Sequence, residues 1–173
     1  MTINVLFVCL GNICRSPTAH GVFAQRVSER GLQSQIQVDS AGTGDWHVGE
    51  APDKRATAAA AKRGFDLSSL RARQVSAKDF GQYHYVIAMD NNNLADLNAL
   101  KPHHYNGELA LFLSYGSDNT VEVPDPYYGA GDGFEQVLDL VEQASDGLLA
   151  AIMQQHPIMQ THPELAGVPA ENQ

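Results

Sequence analysis

The stretch INVLFVC, Ile3 to Cys9, constrains the fold more than any other part of the chain, because it runs straight into the loop LGNIC and then the pair Ser16-Pro17. A short apolar run rich in β-branched residues, with no regular polar alternation, reads as a strand buried on both faces. Behind the loop, Ala19, Val22, Phe23 and Val27 recur at helical spacing, with Pro17 suited to the first turn and Gly31 to the stop, near Arg30. The opening is therefore strand, tight loop, helix, the unit from which parallel sheets are assembled.

The rest of the chain repeats that alternation. QIQVDSAG (35–42) reads as a second strand, and residues 53–63 as an alanine-rich helix closed by Gly64. YHYVIAMD (83–90) reads as a third strand, NNNLADLNAL (91–100) as a helix capped by its early Asn residues, and GELALFL (107–113) as a fourth strand. Phe134, Val137, Leu138, Val141, Leu148, Leu149 and Ile152 mark a long amphipathic helix over 134–155. Alternating strands and helices predict a parallel sheet covered by helices on both faces. A chain of 173 residues can bury a core without disulfides or metal. With no internal repeat, residues 1–156 are expected to form a single domain and 157–173 a mobile C-terminal tail.

Charge narrows the function classes. The formal net charge is −9, whereas nucleic-acid binding generally needs a basic face to neutralise phosphates, so no nucleic-acid partner is expected. All 11 Lys and Arg residues lie at or before Lys101, leaving only acids beyond it. Two readings of that asymmetry stay open: an end of the molecule that repels anionic substrates, or a solvated acidic helix face with an acidic tail. No apolar run is long enough to span a membrane. Cys9 and Cys14 are the only cysteines, too few and too close for a secreted disulfide framework, and no signal-like segment opens the chain. A reducing cytoplasm is the expected location.

In an open parallel sheet the ligand site lies beyond the carboxyl ends of the strands, and the first strand ends at Cys9. The loop then enters a helix N-terminus, whose unpaired N–H groups and dipole favour an anion. Gly11 lets the backbone curl and Asn12 tolerates a left-handed conformation, so the loop of Leu10, Gly11, Asn12, Ile13, Cys14 and Ser16 can wrap one tetrahedral anion. Helix terminus, amides and Arg15 all favour a thiolate at Cys9. Arg15 stands far enough along the loop to return and aim its guanidinium at two oxygens of the anion. Ser16 offers its hydroxyl to the thiolate or to the helix terminus. Attack of Cys9 on phosphorus would give a cysteinyl-phosphate, with amides and Arg15 in the place of a metal. Neither metal nor cofactor is expected.

A cysteine at the end of a buried strand is ordinarily a small apolar residue, and C-x5-R alone is a weak pattern. The strand before it, Gly-Asn within it and Ser-Pro behind it make the catalytic reading the stronger. Cys14 reads as a buried loop filler, with a second role as a redox guard that traps oxidised Cys9 as a disulfide.

A phenolate, with a pKa of about 10, leaves slowly at neutral pH unless an acid supplies a proton. VEVPDPYYGAGDGFE offers Asp125 between two prolines, in a stiff loop that can hang over the first-strand site. As a carboxylate the same residue could activate water. Tyr127 and Tyr128 follow at once, and Trp46 stands in the loop GTGDWHVG after the second strand. Aromatic walls around an anion hole suit a flat aromatic phosphoester. The pair His103-His104 lacks acids or thiols at metal-ligand spacing and reads as structural.

Taken in order, VCLGNICRSPTA, DSAGT, DWHVG, ARQ and DPYYG resemble the low-molecular-weight protein tyrosine phosphatases, over residues from about 4 to 155. The resemblance implies a flavodoxin-like α/β/α fold with a central four-stranded parallel sheet in the order 2-1-3-4, and makes residues 1–156 a phosphatase domain. It implies Cys9 as nucleophile, Arg15 as phosphate-binding residue and Asp125 as general acid. Asn12, Ser16 and Ser40 would shape the loop, and Trp46 and Tyr127 would flank the substrate ring. Phosphotyrosine proteins are the implied partners, together with a tyrosine kinase acting on Tyr127 or Tyr128; a monomer or weak dimer is the implied assembly.

Three rivals share the fold or the loop. Arsenate reductases of this type use further cysteines late in the chain, and none follows Cys14. Protein arginine phosphatases tend to carry Thr where this loop has Ile13, whose branched apolar side chain favours a phosphotyrosine ring. A loop that binds phosphorylated partners without turnover is the third. Two residues depart from the family pattern: His20 stands in place of Glu and Leu70 in place of His. Both positions bear on the support of Asn12; His20 either supplies a hydrogen bond itself or, the blander expectation, is a surface histidine.

Overall fold

A computed structural model describes residues 2–127, 129 and 132–157. Four strands, β1 (Ile3–Cys9), β2 (Ile36–Gly42), β3 (Tyr85–Ala88) and β4 (Glu108–Leu111), form one sheet in the order β2-β1-β3-β4. Every pairing is parallel; Val5 lies opposite Val38 on one side and Tyr85 on the other, and Cys9 lies opposite Gly42. Among the described residues four α-helices accompany them: α1 (Arg15–Glu29), α2 (Lys54–Lys62), α3 (Asn91–Leu100) and α4 (Gly133–Gln155). The fold is the flavodoxin-like α/β/α arrangement.

Alternate side chains of β1 feed the two outer layers, as a strand's two-residue period requires. Ile3, Val5, Phe7 and Cys9 join Val22 and Phe23 of α1 and Val141 and Leu148 of α4 in one core. Phe7 meets the rings of Phe23 and Phe112 with centroids 5.5 and 5.0 Å away, within the range of favourable edge and tilted packing. Leu6 and Val8 face the other way, into a smaller core with Phe80, Val86 and Leu97. Burying β1 on both faces puts its carboxyl end, and Cys9, at a fixed depth in the sheet.

Local chemistry starts and stops the helices. α1 begins at Arg15, two residues before Pro17, and ends through Gly31 at φ 69°, with Gly31 N–H bonded to Ser28 O and Leu32 N–H to Val27 O. That is the double closure of a Schellman motif. The Asp53 carboxylate accepts from Arg55 N and Ala56 N to cap α2. The cap of α3 is Asp90, in a reciprocal pair with Asn93, rather than one of the leading Asn residues alone. β3 is shorter than expected because Tyr83 and His84 precede its ladder and Asp90 is drawn into the helix cap. After β4 the chain turns into a 3-10 segment, Phe112–Tyr115, where a longer strand was expected.

The acidic second half is paired as well as solvated. Arg63 contacts Glu135, Asp139 and Glu142 of α4, and Arg26 contacts Glu142 and Asp146. Bases of the first half thus meet acids of the second across α1, α2 and α4. Among the described residues no helix is long and apolar enough to cross a membrane. The tail from residue 158 and Tyr128 lie outside the described residues.

Candidate active site

Cys9 is 3 % exposed at the end of β1, and the loop behind it is pinned from outside. Cys9 O accepts from Thr43 N, Leu10 O from Gly44 N, Ile13 O from Asp53 N and Cys14 O from Thr18 N, at 2.8–3.2 Å. Inside the loop, Asn12 N–H points at Cys9 Sγ, 3.3 Å away. Gly42 makes the close passage possible: a Cβ there would stand 2.7 Å from Leu10 O, too near for backbone that cannot give way.

Asn12 has φ 57°, the one positive φ outside glycine among the described residues. Its side chain holds the turn closed: Nδ2 donates to Ser16 Oγ at 2.7 Å and Oδ1 accepts from Arg73 N–H at 3.0 Å. Ser16 Oγ is 3.0 Å from Cys9 Sγ and 3.4 Å from Ala41 O. Because Asn12 donates to that oxygen, the hydroxyl hydrogen is left for the sulfur, the nearer of the two remaining partners.

The Arg15 guanidinium is 4 % exposed, donating from Nη1 to Asp90 Oδ2 at 2.6 Å and to Val123 O at 3.1 Å. Its Nη2 lies 3.7 Å from Asp125 Oδ2. Burial works against its charge, but Cys9, Asp90 and Asp125 outweigh that and raise its pKa, so it stays a cation. Asp125 Oδ1 in turn accepts from Tyr127 N–H at 3.0 Å.

Cys9, Arg15 and Asp125 line one cavity of about 420 Å3, with Leu10, Gly11, Ile13, Cys14, Trp46, His47 and Tyr127 on its other walls. Trp46 stands at the rim, 69 % exposed. A larger hollow of about 530 Å3 lies around Tyr83, His84 and Tyr105 at the other end of the sheet and has neither cysteine nor arginine on its walls. The smaller cavity lies beyond the carboxyl ends of the strands, where open parallel sheets bind ligands.

Other site residues fall into different settings. Cys14 is 5 % exposed beside Ile13 and Ala72, and burial, reinforced by Asp53 and Cys9, pushes its thiol up to about 12. It stays protonated at neutral pH while Cys9 is reduced. Ser40 Oγ is hydrogen bonded to His20 Nδ1 at 3.1 Å. His20 is half-buried rather than on the surface, and burial, only partly opposed by Asp39, lowers its pKa. Leu70 packs against the main core, so Asn12 is supported by the Arg73 backbone instead. The Arg73 side chain is fixed by Asp39 at 3.0 Å and Asp79 at 3.1 Å.

Sequence reasoning missed Asp90, Arg73 and His47. Asp90 carried a readable signal, an acid at the carboxyl end of a strand. His47 bonds Glu50 at 2.6 Å and sits against Gly11 and Tyr127; the reading of DWHVG stopped at its tryptophan.

A family model described as low molecular weight phosphotyrosine protein phosphatase matches residues 4–158. A low molecular weight protein-tyrosine-phosphatase of Streptomyces coelicolor is 45 % identical over 159 residues, covering 90 % of this chain and 96 % of the relative. Among solved structures, a protein tyrosine phosphatase of Entamoeba histolytica superposes with a TM-score of 0.86 at 36 % identity, over 90 % of this chain and 99 % of that one. A Drosophila arginine phosphatase superposes with a TM-score of 0.79 at 33 % identity, over 86 % and 96 % of the two chains.

Proposed function

Because this chain belongs to the low molecular weight phosphotyrosine protein phosphatase family, we propose that its loop carries out hydrolysis of phosphotyrosine through a cysteinyl-phosphate on Cys9. The observation that carries the reading is the convergence of Cys9 Sγ, the Arg15 guanidinium and the Asp125 carboxylate on one cavity.

The phosphate dianion sits in the loop against inward amides and Arg15, which is already held as a cation. Cys9 Sγ attacks phosphorus in line with the aryl oxygen; the P–O bond breaks and Asp125 gives its proton to the departing phenolate. Charge on the equatorial oxygens is met by donors already oriented by Asn12, Asp90 and Val123 O, so little reorganisation accompanies the step. In the second half Asp125, now a carboxylate, takes a proton from water as the water attacks phosphorus. Cys9 leaves as a thiolate, and Ser16 Oγ, 3.0 Å away, donates to it.

The reading extends to residues 1–156 as one phosphatase domain, to tyrosine-phosphorylated proteins as substrates with a tyrosine kinase as partner, and to a cytoplasmic monomer or weak dimer. Trp46 and Tyr127 flank the ring in this account. Arginine phosphatase activity is the second reading, favoured by the Drosophila likeness; the buried branched side chain of Ile13 on the cavity wall supports tyrosine over it.

The test is phosphate release from a phosphotyrosine peptide, a phosphoarginine peptide and 4-nitrophenyl phosphate in the presence of a chelator. Release from the first and third, abolished in Cys9→Ser, is expected. Turnover of the phosphoarginine peptide alone supports the second reading, and no turnover of any substrate contradicts both.

A further inference from the structure

We propose that Arg55 is a positioning residue, the middle of a latch that ties the acid loop carrying Asp125 to the floor of the phosphate loop; the proposal rests on the phosphatase reading above. Arg55 is half-exposed on the first turn of α2, and its guanidinium is engaged along the Nε–Nη2 edge and over its face by groups bordering the site. Nε and Nη2 grip the Asp53 carboxylate at 3.2 and 3.0 Å. Nη2 also donates to Tyr127 O at 3.1 Å. The flat guanidinium faces the rings of Tyr127 and Phe134, at 5.5 and 4.9 Å from their centroids.

Each end of this assembly stops at a reacting element. Asp53 N–H donates to Ile13 O at 2.8 Å, inside the phosphate loop. Tyr127 N–H donates to Asp125 Oδ1 at 3.0 Å. One peptide plane past the carboxylate, the Tyr127 carbonyl is held by Arg55, so the path runs Ile13, Asp53, Arg55, Tyr127, Asp125. An arginine suits the middle of such a path because its planar fork fixes direction as well as distance and its face stacks on aromatic rings. Lysine would keep the charge and lose the fork. Committed to Asp53, the guanidinium is not a spare cation for a second anionic group of the substrate.

A proton donor misplaced by about an ångström can cost on the order of a hundredfold in rate. The loss should fall on substrates that need the proton. The experiment measures kcat/KM of wild type, Arg55→Ala, Arg55→Lys, Asp125→Asn and the double variant Arg55→Ala with Asp125→Asn. Two esters are compared, 4-nitrophenyl phosphate with its good leaving group and phenyl phosphate with its poor one. Arg55→Ala is expected to lower kcat/KM for phenyl phosphate roughly tenfold more than for 4-nitrophenyl phosphate, with Arg55→Lys resembling Ala. In the Asp125→Asn background the same substitution should add no leaving-group dependence. Inhibition by inorganic phosphate reports whether the anion loop itself is intact, and it should stay within about twofold of wild type.

Equal losses for the two esters, or an undiminished effect of Arg55→Ala in the Asp125→Asn background, would overturn the latch. Full rescue by Arg55→Lys would do the same, assigning Arg55 to rim charge. A wild-type protein that hydrolyses neither ester contradicts the phosphatase reading and the latch together; one that turns over normally while the variants lose rate additively contradicts the latch alone.

Discussion

Asn12 holds a left-handed backbone that costs most side chains of the order of 1 kcal/mol, and its amide closes two hydrogen bonds in return. The substitution Asn12→Gly keeps the backbone accessible and deletes both bonds. We expect kcat/KM for 4-nitrophenyl phosphate to fall about ten- to hundredfold with a weaker inhibition by phosphate; unchanged kinetics would show that backbone geometry alone shapes the loop. The two cysteines differ as sharply. Burial keeps the Cys14 thiol protonated, so iodoacetamide at neutral pH should label one thiol per chain, lost in Cys9→Ser and kept in Cys14→Ser. Labelling of both at similar rates would remove the distinction.

At the scale of elements, two glycines separate site from scaffold. Gly64 closes α2 at φ 89° with open space around it, so Gly64→Ala should cost about 1 kcal/mol in denaturant unfolding and leave turnover alone. Gly42 ends β2 against the carbonyl of Leu10, so Gly42→Ala should cost roughly 1–3 kcal/mol and also weaken phosphate inhibition, because the loop must shift. Equal kinetic effects of the two would mean that the loop is not seated on β2. Alternation of strand and helix was legible because each element has its own period and stop signal. So was the loop, whose residues are contiguous. The contacts that organise it were not: Arg15 reaches Asp90 across 75 positions and Asn12 reaches Arg73 across 61. Such pairs exist only once the order β2-β1-β3-β4 sets strand ends side by side. Asp125 was legible through its prolines, whereas the grip of Arg55 on Tyr127 O is between a side chain and a backbone and leaves no pattern.

Across the whole molecule, several acids that ionise only at high pH are held neutral by burial. Cys14 and Tyr105 are both pushed up to about 12 from ordinary values of 9.0 and 10.0, and Tyr83 and Tyr85 are also raised, burial being the leading cause in each. Between those values the unfolded chain has lost protons that the fold retains, so stability falls as pH rises. The urea midpoint should decline from about pH 9 upward, less steeply in Cys14→Ala; a flat profile to about pH 11 would contradict this burial. The reacting end and the scaffold meet in a single claim, that Cys9 carries the phosphoryl group between two half-reactions. Acid quenching during turnover of 4-nitrophenyl phosphate, followed by intact mass and peptide mapping, tests it directly. One phosphoryl group on Cys9, longer-lived in Asp125→Ala and absent in Cys9→Ser, is the predicted result; sustained turnover in Cys9→Ser, or a phosphoryl group on another residue, would contradict it.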